Sequence, residues 1–187
     1  ILDNESIKDL HGAGIKCHFI ENSNIVVEHE RIPFQSFPYE WPAEMLYAAG
    51  CLTLDFAVDL LEEGFGLKDA TPYNILFRGY RPVFIDLLSI ERRNNGDPIW
   101  SPYAQFVRTF LLPLLINKHL GMPLDQVFLT RRDGLEPEEV YRLLSLIKRL
   151  KAPFLTLVTI PTWLAIGEKK NDPAIYQRKC LDDIEKA

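Results

Sequence analysis

Two short apolar runs, Asn74 to Phe77 and Val83 to Ile85, flank Arg78-Gly79-Tyr80-Arg81-Pro82. Runs this short, parted by a glycine and a proline, predict a tight β-hairpin with its turn at Gly79. Three polar residues stand at its margins: Asp69 and Asn74 before it, and Asp86 at the end of its second strand. Asp86 has Phe84, Ile85, Leu87 and Leu88 as its sequence neighbours. A carboxylate enclosed by such groups is costly unless a metal, a cation or hydrogen-bond donors compensate it. The spacing predicts that Asn74 and Asp86 converge on one cavity, with Asp69 at its edge.

The segment before the hairpin predicts its support. Pro42 suits the first turn of a helix. Met45, Ala49, Leu52, Phe56 and Leu60 then recur at helical spacing, broadened by Leu46, Leu54, Ala57 and Leu61. Only Glu44, Asp55, Asp59 and Glu62 interrupt the apolar surface, the pattern of a helix buried in the core of a helical lobe. Gly64 ends it just before the Asp69 loop, and the hairpin is expected to lie against it.

Further upstream, residues 1 to 14 read as the tail of a helix, and Ile15 to Ile20 and Asn24 to Glu28 as two strands. Three prolines between Ile32 and Pro42 exclude a regular element there and predict an extended connector with aromatic anchors. Downstream, Glu91 to Pro98 is a polar loop whose Arg92 and Arg93 meet either solvent or an anionic substrate. Ser101-Pro102 caps a helix lined by Phe106, Phe110 and Leu114, which Pro113 should kink or end. Trp100 and Tyr103 are expected to join its core packing. Glu136, Glu138 and Glu139 favour a helix start, with Val140, Leu143, Leu144, Ile147 and Leu150 as its buried stripe and Lys148, Arg149 and Lys151 at its end. Phe154 to Ile166 reads as a buried element broken at Pro161, followed by a charged tail.

The chain has 187 residues, enough for one well-buried domain or a lobe of a larger one. Its net charge of −5 argues against a nucleic-acid partner, which needs a concentrated basic face. Cys17, Cys51 and Cys180 form no C-x-x-C pair and read as reduced thiols of a cytoplasmic protein. No signal peptide is visible, and the longest apolar run is too short for a membrane span. The first residue is Ile rather than Met, which suggests that the chain has been trimmed or begins at an internal boundary. None of His11, His18, His29 and His119 stands beside a Ser or Cys nucleophile in an elbow motif, so acyl transfer has no support.

Asp69, Asn74, a hairpin and then Asp86 after an apolar strand resemble the catalytic segment of protein kinases and aminoglycoside-type phosphotransferases. The resemblance implies an α+β fold: a kinase-like large helical lobe carrying a catalytic-loop β-hairpin, with a remnant of the small β lobe. Residues 1–40 would be small-lobe strands and hinge, 41–166 the helical lobe, and 167–187 a charged tail or linker. It also implies roles. Asp69 would accept the proton of a substrate hydroxyl, Lys68 would balance charge on the transferring phosphoryl group, and Asn74 and Asp86 would hold magnesium for ATP. The sequence departs from that family at Leu67, where a His precedes the base, and at Leu88, where a Gly follows the second Asp. The glycine-rich loop, nucleotide Lys and helix Glu of the family would precede the residues present.

Leu-Lys-Asp-Ala-Thr-Pro-Tyr-Asn, Arg-Pro-Val-Phe-Ile-Asp, Ser-Pro-Tyr-Ala-Gln-Phe and Tyr-Glu-Trp-Pro carry a closer likeness, from about Ile20 to Leu164. They resemble a bacterial group in which a kinase-like domain precedes a methyltransferase domain that uses S-adenosylmethionine; nodulation-type methyltransferases belong to it. This implies a kinase-like portion of a longer polypeptide, with S-adenosylmethionine bound only in the attached domain. Two functions are expected on this basis: phosphotransfer to a small-molecule or glycan hydroxyl, or a non-catalytic pseudokinase module that orients the attached domain. For the latter, Asp69 and Asn74 close a turn with their side chains and Asp86 is a hydrogen-bond hub.

Overall fold

The computed structural model describes residues 15–20, 24–29, 31–93 and 99–170, with backbone alone at 15–20, 24–29 and 167–170. The helix expected within residues 1–14, the tail beyond 170 and most of the polar loop after Arg93 lie outside the described residues. The chain divides into two compact units, Ile1–Gly134 and Leu135–Ala187. Helices combine with small antiparallel sheets, an α+β composition.

In the first unit, β1 (Ile15–Ile20) and β2 (Asn24–His29) pair antiparallel. The sequence excludes a regular element from the proline-rich connector, but Pro38–Glu40 forms a single 3-10 turn. Pro38 starts that turn without needing a donor, and the Glu40 carboxylate takes the Phe37 N–H at 2.8 Å. Trp41 comes next as a buried anchor, its ring meeting Phe77 edge-on at 5.0 Å.

Helix α1 (Ala43–Glu62) buries Leu46, Ala49, Thr53, Phe56, Ala57 and Leu60. Its buried face is narrower than the apolar pattern predicts: Tyr47, Leu54, Val58 and Leu61 are exposed. One helix face is as much as the hairpin and the next helix can cover. Strand β3 (Phe65–Leu67) then leads into the Asp69 loop, a 3-10 turn at Pro72–Asn74, and the hairpin of β4 (Ile75–Arg78) and β5 (Arg81–Phe84). The hairpin turns at Gly79, whose φ of 62° suits a residue without a Cβ. It lies against α1 through Phe84, whose ring centroid is 4.7 Å from that of Phe56. A further 3-10 turn, Leu87–Ser89, leads to β6 (Ile90–Arg92), which pairs antiparallel with β3.

Downstream, α2 (Tyr103–Phe106), a π-helical turn (Val107–Leu111) and α3 (Leu112–Leu120) form one continuous rod. Neither Ser101 nor Pro102 supplies a side-chain cap, contrary to the sequence expectation. Pro113 does not end the rod. The π turn accounts for this, because Leu112 bonds back to the Val107 carbonyl in a widened ring just before a residue that has no N–H to give. Phe106 and Phe110 are buried against Gly50 of α1, where a Cβ would come 3.3 Å from the Phe110 ring. Helix α4 (Leu124–Thr130) packs on the Pro38–Glu40 turn.

The second unit departs most from expectation. A single helix with one buried stripe is replaced by α5 (Pro137–Leu143) and a short α6 (Leu146–Arg149). Glu136 and Glu139 do start α5, with Glu139 accepting the Glu136 N–H at 3.1 Å. Leu144 then adopts an extended conformation (φ −85°, ψ 138°), which turns α6 out of line with α5. Val140 and Leu144 are buried, while Leu143, Ile147 and Leu150 are exposed. Arg149 donates to the Tyr141 carbonyl at 3.0 Å and stacks 4.0 Å from the Tyr141 ring. A second π turn, Leu155–Thr159, precedes α7 (Ile160–Lys170), so that Pro161, like Pro113, sits in an unbroken helix.

Candidate functional site

Two loops meet where the sequence places its polar residues. Ile85 donates its N–H to the Asn74 carbonyl at 2.9 Å, continuing the hairpin past its strands. Lys68 donates its N–H to the Ser89 carbonyl at 2.7 Å, extending the β3–β6 pairing. The segment from Lys68 to Asn74 and the turn that starts at Asp86 are therefore tied together at both ends. Lys68 and Asp69 are exposed, Asp86 is half-buried, and Asn74 is buried at 7% exposure. The two backbone bonds place the backbones of Asn74 and Lys68 beside the Asp86–Ser89 turn, and among the described residues no hydrogen bond links the side chains of Lys68, Asp69, Asn74 and Asp86 to one another.

The local chemistry of Asp86 differs from the sequence expectation. It is not enclosed by apolar groups, because Leu88 is 85% exposed and Ile85 is exposed as well. Its Oδ1 accepts the Leu88 N–H at 3.1 Å, capping the 3-10 turn. That bond accounts for one carboxylate oxygen. Asn74 presents the opposite case: its Nδ2 is buried and has no hydrogen-bond partner among the described residues. An orphaned buried amide is uncommon and costly. A half-turn about its last side-chain bond exchanges the nitrogen for the oxygen, so the same position can present a donor or a ligand.

By type, an amide oxygen and carboxylate oxygens are the hard ligands magnesium takes, and it keeps waters or phosphate oxygens for the rest of its coordination. Among the described residues there is no group of three or more His, Cys, Asp and Glu placed to hold a metal by themselves.

The loop is held from behind by residues whose role the sequence pattern does not reveal on a first reading. Gln105 Oε1 accepts the Ala70 N–H at 2.7 Å, and Thr109 Oγ1 lies 3.2 Å from the Ala70 carbonyl and 2.8 Å from the Gln105 carbonyl. The sequence does carry a signal for them: a Gln and a Thr one helical turn apart, among Phe106 and Phe110, are polar groups on an apolar rod that need partners. In front of the loop, the Arg132 guanidinium lies 4.9 Å from the centroid of the Tyr73 ring. Burial pushes the Tyr73 phenol above its ordinary pKa, against the opposing pull of Arg132, with Tyr39 and Asp133 adding to the rise.

Arg92 and Arg93 lie at the end of the β3–β6 pairing away from the Lys68–Ser89 bond. They line a cleft of about 120 Å³ with Gly66, Leu67, Glu91, Ile99 and Ser101, and Arg93 donates to the Ile99 carbonyl at 2.9 Å. Trp100 packs on the buried Phe106 at 5.5 Å, as core packing expects, whereas Tyr103, its ring neighbour at 6.4 Å, is exposed. Among the described residues, no helix is long and apolar enough to cross a membrane.

No protein-family profile matches the chain, and no solved structure matches it. Among curated proteins, the chain is similar to Nodulation protein NoeA of Rhizobium meliloti (strain 1021), with 33% identity over 147 residues. The matched stretch is 78% of this chain and 31% of that protein, so the chain spans less than a third of the relative's length.

Proposed function

We propose that this chain is the helical lobe of a kinase-like phosphotransferase acting on a hydroxyl acceptor, with ATP as donor and magnesium as the metal. One observation carries the reading: the β3–loop–hairpin–turn–β6 path, tied by the Asn74–Ile85 and Lys68–Ser89 bonds, gathers Lys68, Asp69, Asn74 and Asp86 on adjoining loops. In this reading Asp69 takes the acceptor's proton as its oxygen forms the bond to phosphorus, and the bond from phosphorus to the nucleotide's bridging oxygen breaks. Lys68 balances the charge of the group in transfer. Asn74 and Asp86 would hold magnesium, whose chemistry is to neutralise the donor's phosphate oxygens. Positioning and electrostatics carry most of such a reaction, which is why the rigid seating of the loop matters.

A second reading has its own support. Asp86 already serves as the cap of the Leu87–Ser89 turn, a structural task that needs no metal. On that reading the lobe is a non-catalytic module orienting a further domain, such as an S-adenosylmethionine-dependent methyltransferase, in a longer polypeptide. The relative's greater length is consistent with such an arrangement.

Asp86→Asn in the full native polypeptide separates the two. Asn and Asp cap turns about equally well, so the cap survives the substitution and the metal-directed charge does not. The phosphotransferase reading expects magnesium-dependent ATP binding in the parent protein and its loss in D86N, with nearly unchanged denaturant melts. A parent that neither binds ATP with magnesium nor is stabilised by the pair sinks it and leaves the module. Asp86→Ala should cost roughly 1 kcal/mol under either reading, because it removes the cap.

A further inference from the structure

Arg132 is exposed and makes no ion pair among the described residues; its guanidinium lies over the Tyr73 ring. Contact with the ring leaves the guanidinium N–H donors without a hydrogen-bond partner among the described residues, the condition for receiving an oxyanion in two parallel hydrogen bonds. It also restricts a long side chain that would otherwise lose entropy on binding.

The same turn of one helix fixes both partners. Gln105 and Thr109 hold Ala70, and so the start of the loop that carries Tyr73. Arg108, between them, presents its carbonyl to Gly134, where a Cβ would collide with the oxygen, and Gly134 closes the Arg131 turn with an N–H bond of 3.0 Å. Tyr73 is separated from Asp69 by a stretch of chain that reaches no more than about 14 Å when fully extended.

The geometry points to Arg132 as an oxyanion-recognising residue beside the Asp69 loop, taking a carboxylate, sulfate or phosphate group carried by the acceptor. The acceptor role rests on the phosphotransfer reading above; the oxyanion site does not. Asp133 is the opposing charge near Tyr73. A single oxyanion seated on the guanidinium edge, rather than a polyanion, matches that balance.

The test is a titration of the full native polypeptide with sodium sulfate, inorganic phosphate and sodium acetate in turn, against a chloride background of equal ionic strength, read from the amide NMR shifts of residues 70–74 and 131–134. At least one oxyanion should give saturable shifts, weakened about tenfold or more in Arg132→Met, the scale of a lost charge-assisted hydrogen bond. Asp86→Asn should leave them unchanged. Arg132→Lys keeps the charge and loses the fork, so it should weaken binding less than Arg132→Met; this arm serves if the Met variant misfolds, and equal binding in wild type and Lys variant overturns the forked site. Shifts that persist in Arg132→Met, that are absent in the parent, or that vanish in Asp86→Asn alone overturn the proposal. Oxyanion binding intact in a protein without magnesium-dependent ATP binding removes the acceptor role together with the phosphotransfer reading, and leaves Arg132 as an anion site.

Discussion

The Gln105 side-chain oxygen accepts the amide hydrogen of Ala70 at 2.7 Å, joining a helix to a loop far from it in sequence. Ala70 is fully buried, so its N–H has no recourse to water if that acceptor is lost. Gln105→Leu should therefore destabilise the protein by about 1–3 kcal/mol, whereas Gln105→Glu, which keeps an acceptor, should be milder. Thr109→Val removes the hydroxyl that serves the Ala70 carbonyl and should cost about as much as Gln105→Leu. Denaturant melts measure the cost, and amide exchange at Ala70 and Tyr73 reports whether the loop has loosened. Unchanged exchange in both variants would mean that the clamp does not hold the loop.

Gly134 is predicted to tolerate substitution far less well than Gly121. Both have positive φ, 81° and 69°, a conformation that costs an L-residue about 1–2 kcal/mol. A Cβ at Gly121 meets nothing, whereas at Gly134 it would run into the Arg108 carbonyl. Gly134→Ala should cost clearly more than Gly121→Ala in paired melts, and equal costs would show that the Arg131–Gly134 turn can move away freely.

Phe110 is the largest fully buried side chain among the described residues, touching Phe106 and the space left by Gly50. Truncation to Ala should cost roughly 3–5 kcal/mol, the usual scale for a buried Phe whose cavity cannot collapse. A loss under about 1 kcal/mol by thermal or chemical unfolding, well below that scale, would mean that α1 and the α2–α3 rod repack readily.

Tyr73 gives a pH signature. Its native pKa is raised by burial above the ordinary value of 10.0. The phenol's contribution to stability is then fully present below the unfolded pKa and is lost as pH rises through the higher native one. Arg132 pulls that value down, so Arg132→Met should move the Tyr73 transition still higher in an ultraviolet titration. A downward move would contradict the placement of Arg132 over the Tyr73 ring.

Local patterns determined much of this protein by themselves. The hairpin around Gly79, the long helix before it and the strand pair Ile15–Ile20 with Asn24–His29 arise from turn chemistry and short-range periodicity, which act within a few residues. The adjacency of Asn74 and Asp86 comes from the hairpin register. Tertiary structure decided the rest. Which side of α1 faces solvent depends on how many neighbours can cover it, and Leu54, Val58 and Leu61 carry no mark of that choice. The break at Leu144, and the passage of Pro113 and Pro161 through unbroken helices after π turns, override local propensity because backbone hydrogen bonds can be rearranged over a whole turn. The seating of Ala70 by Gln105 and Thr109, and of Arg132 on Tyr73, joins residues far apart in the chain, and only the packed fold brings them within reach of one another.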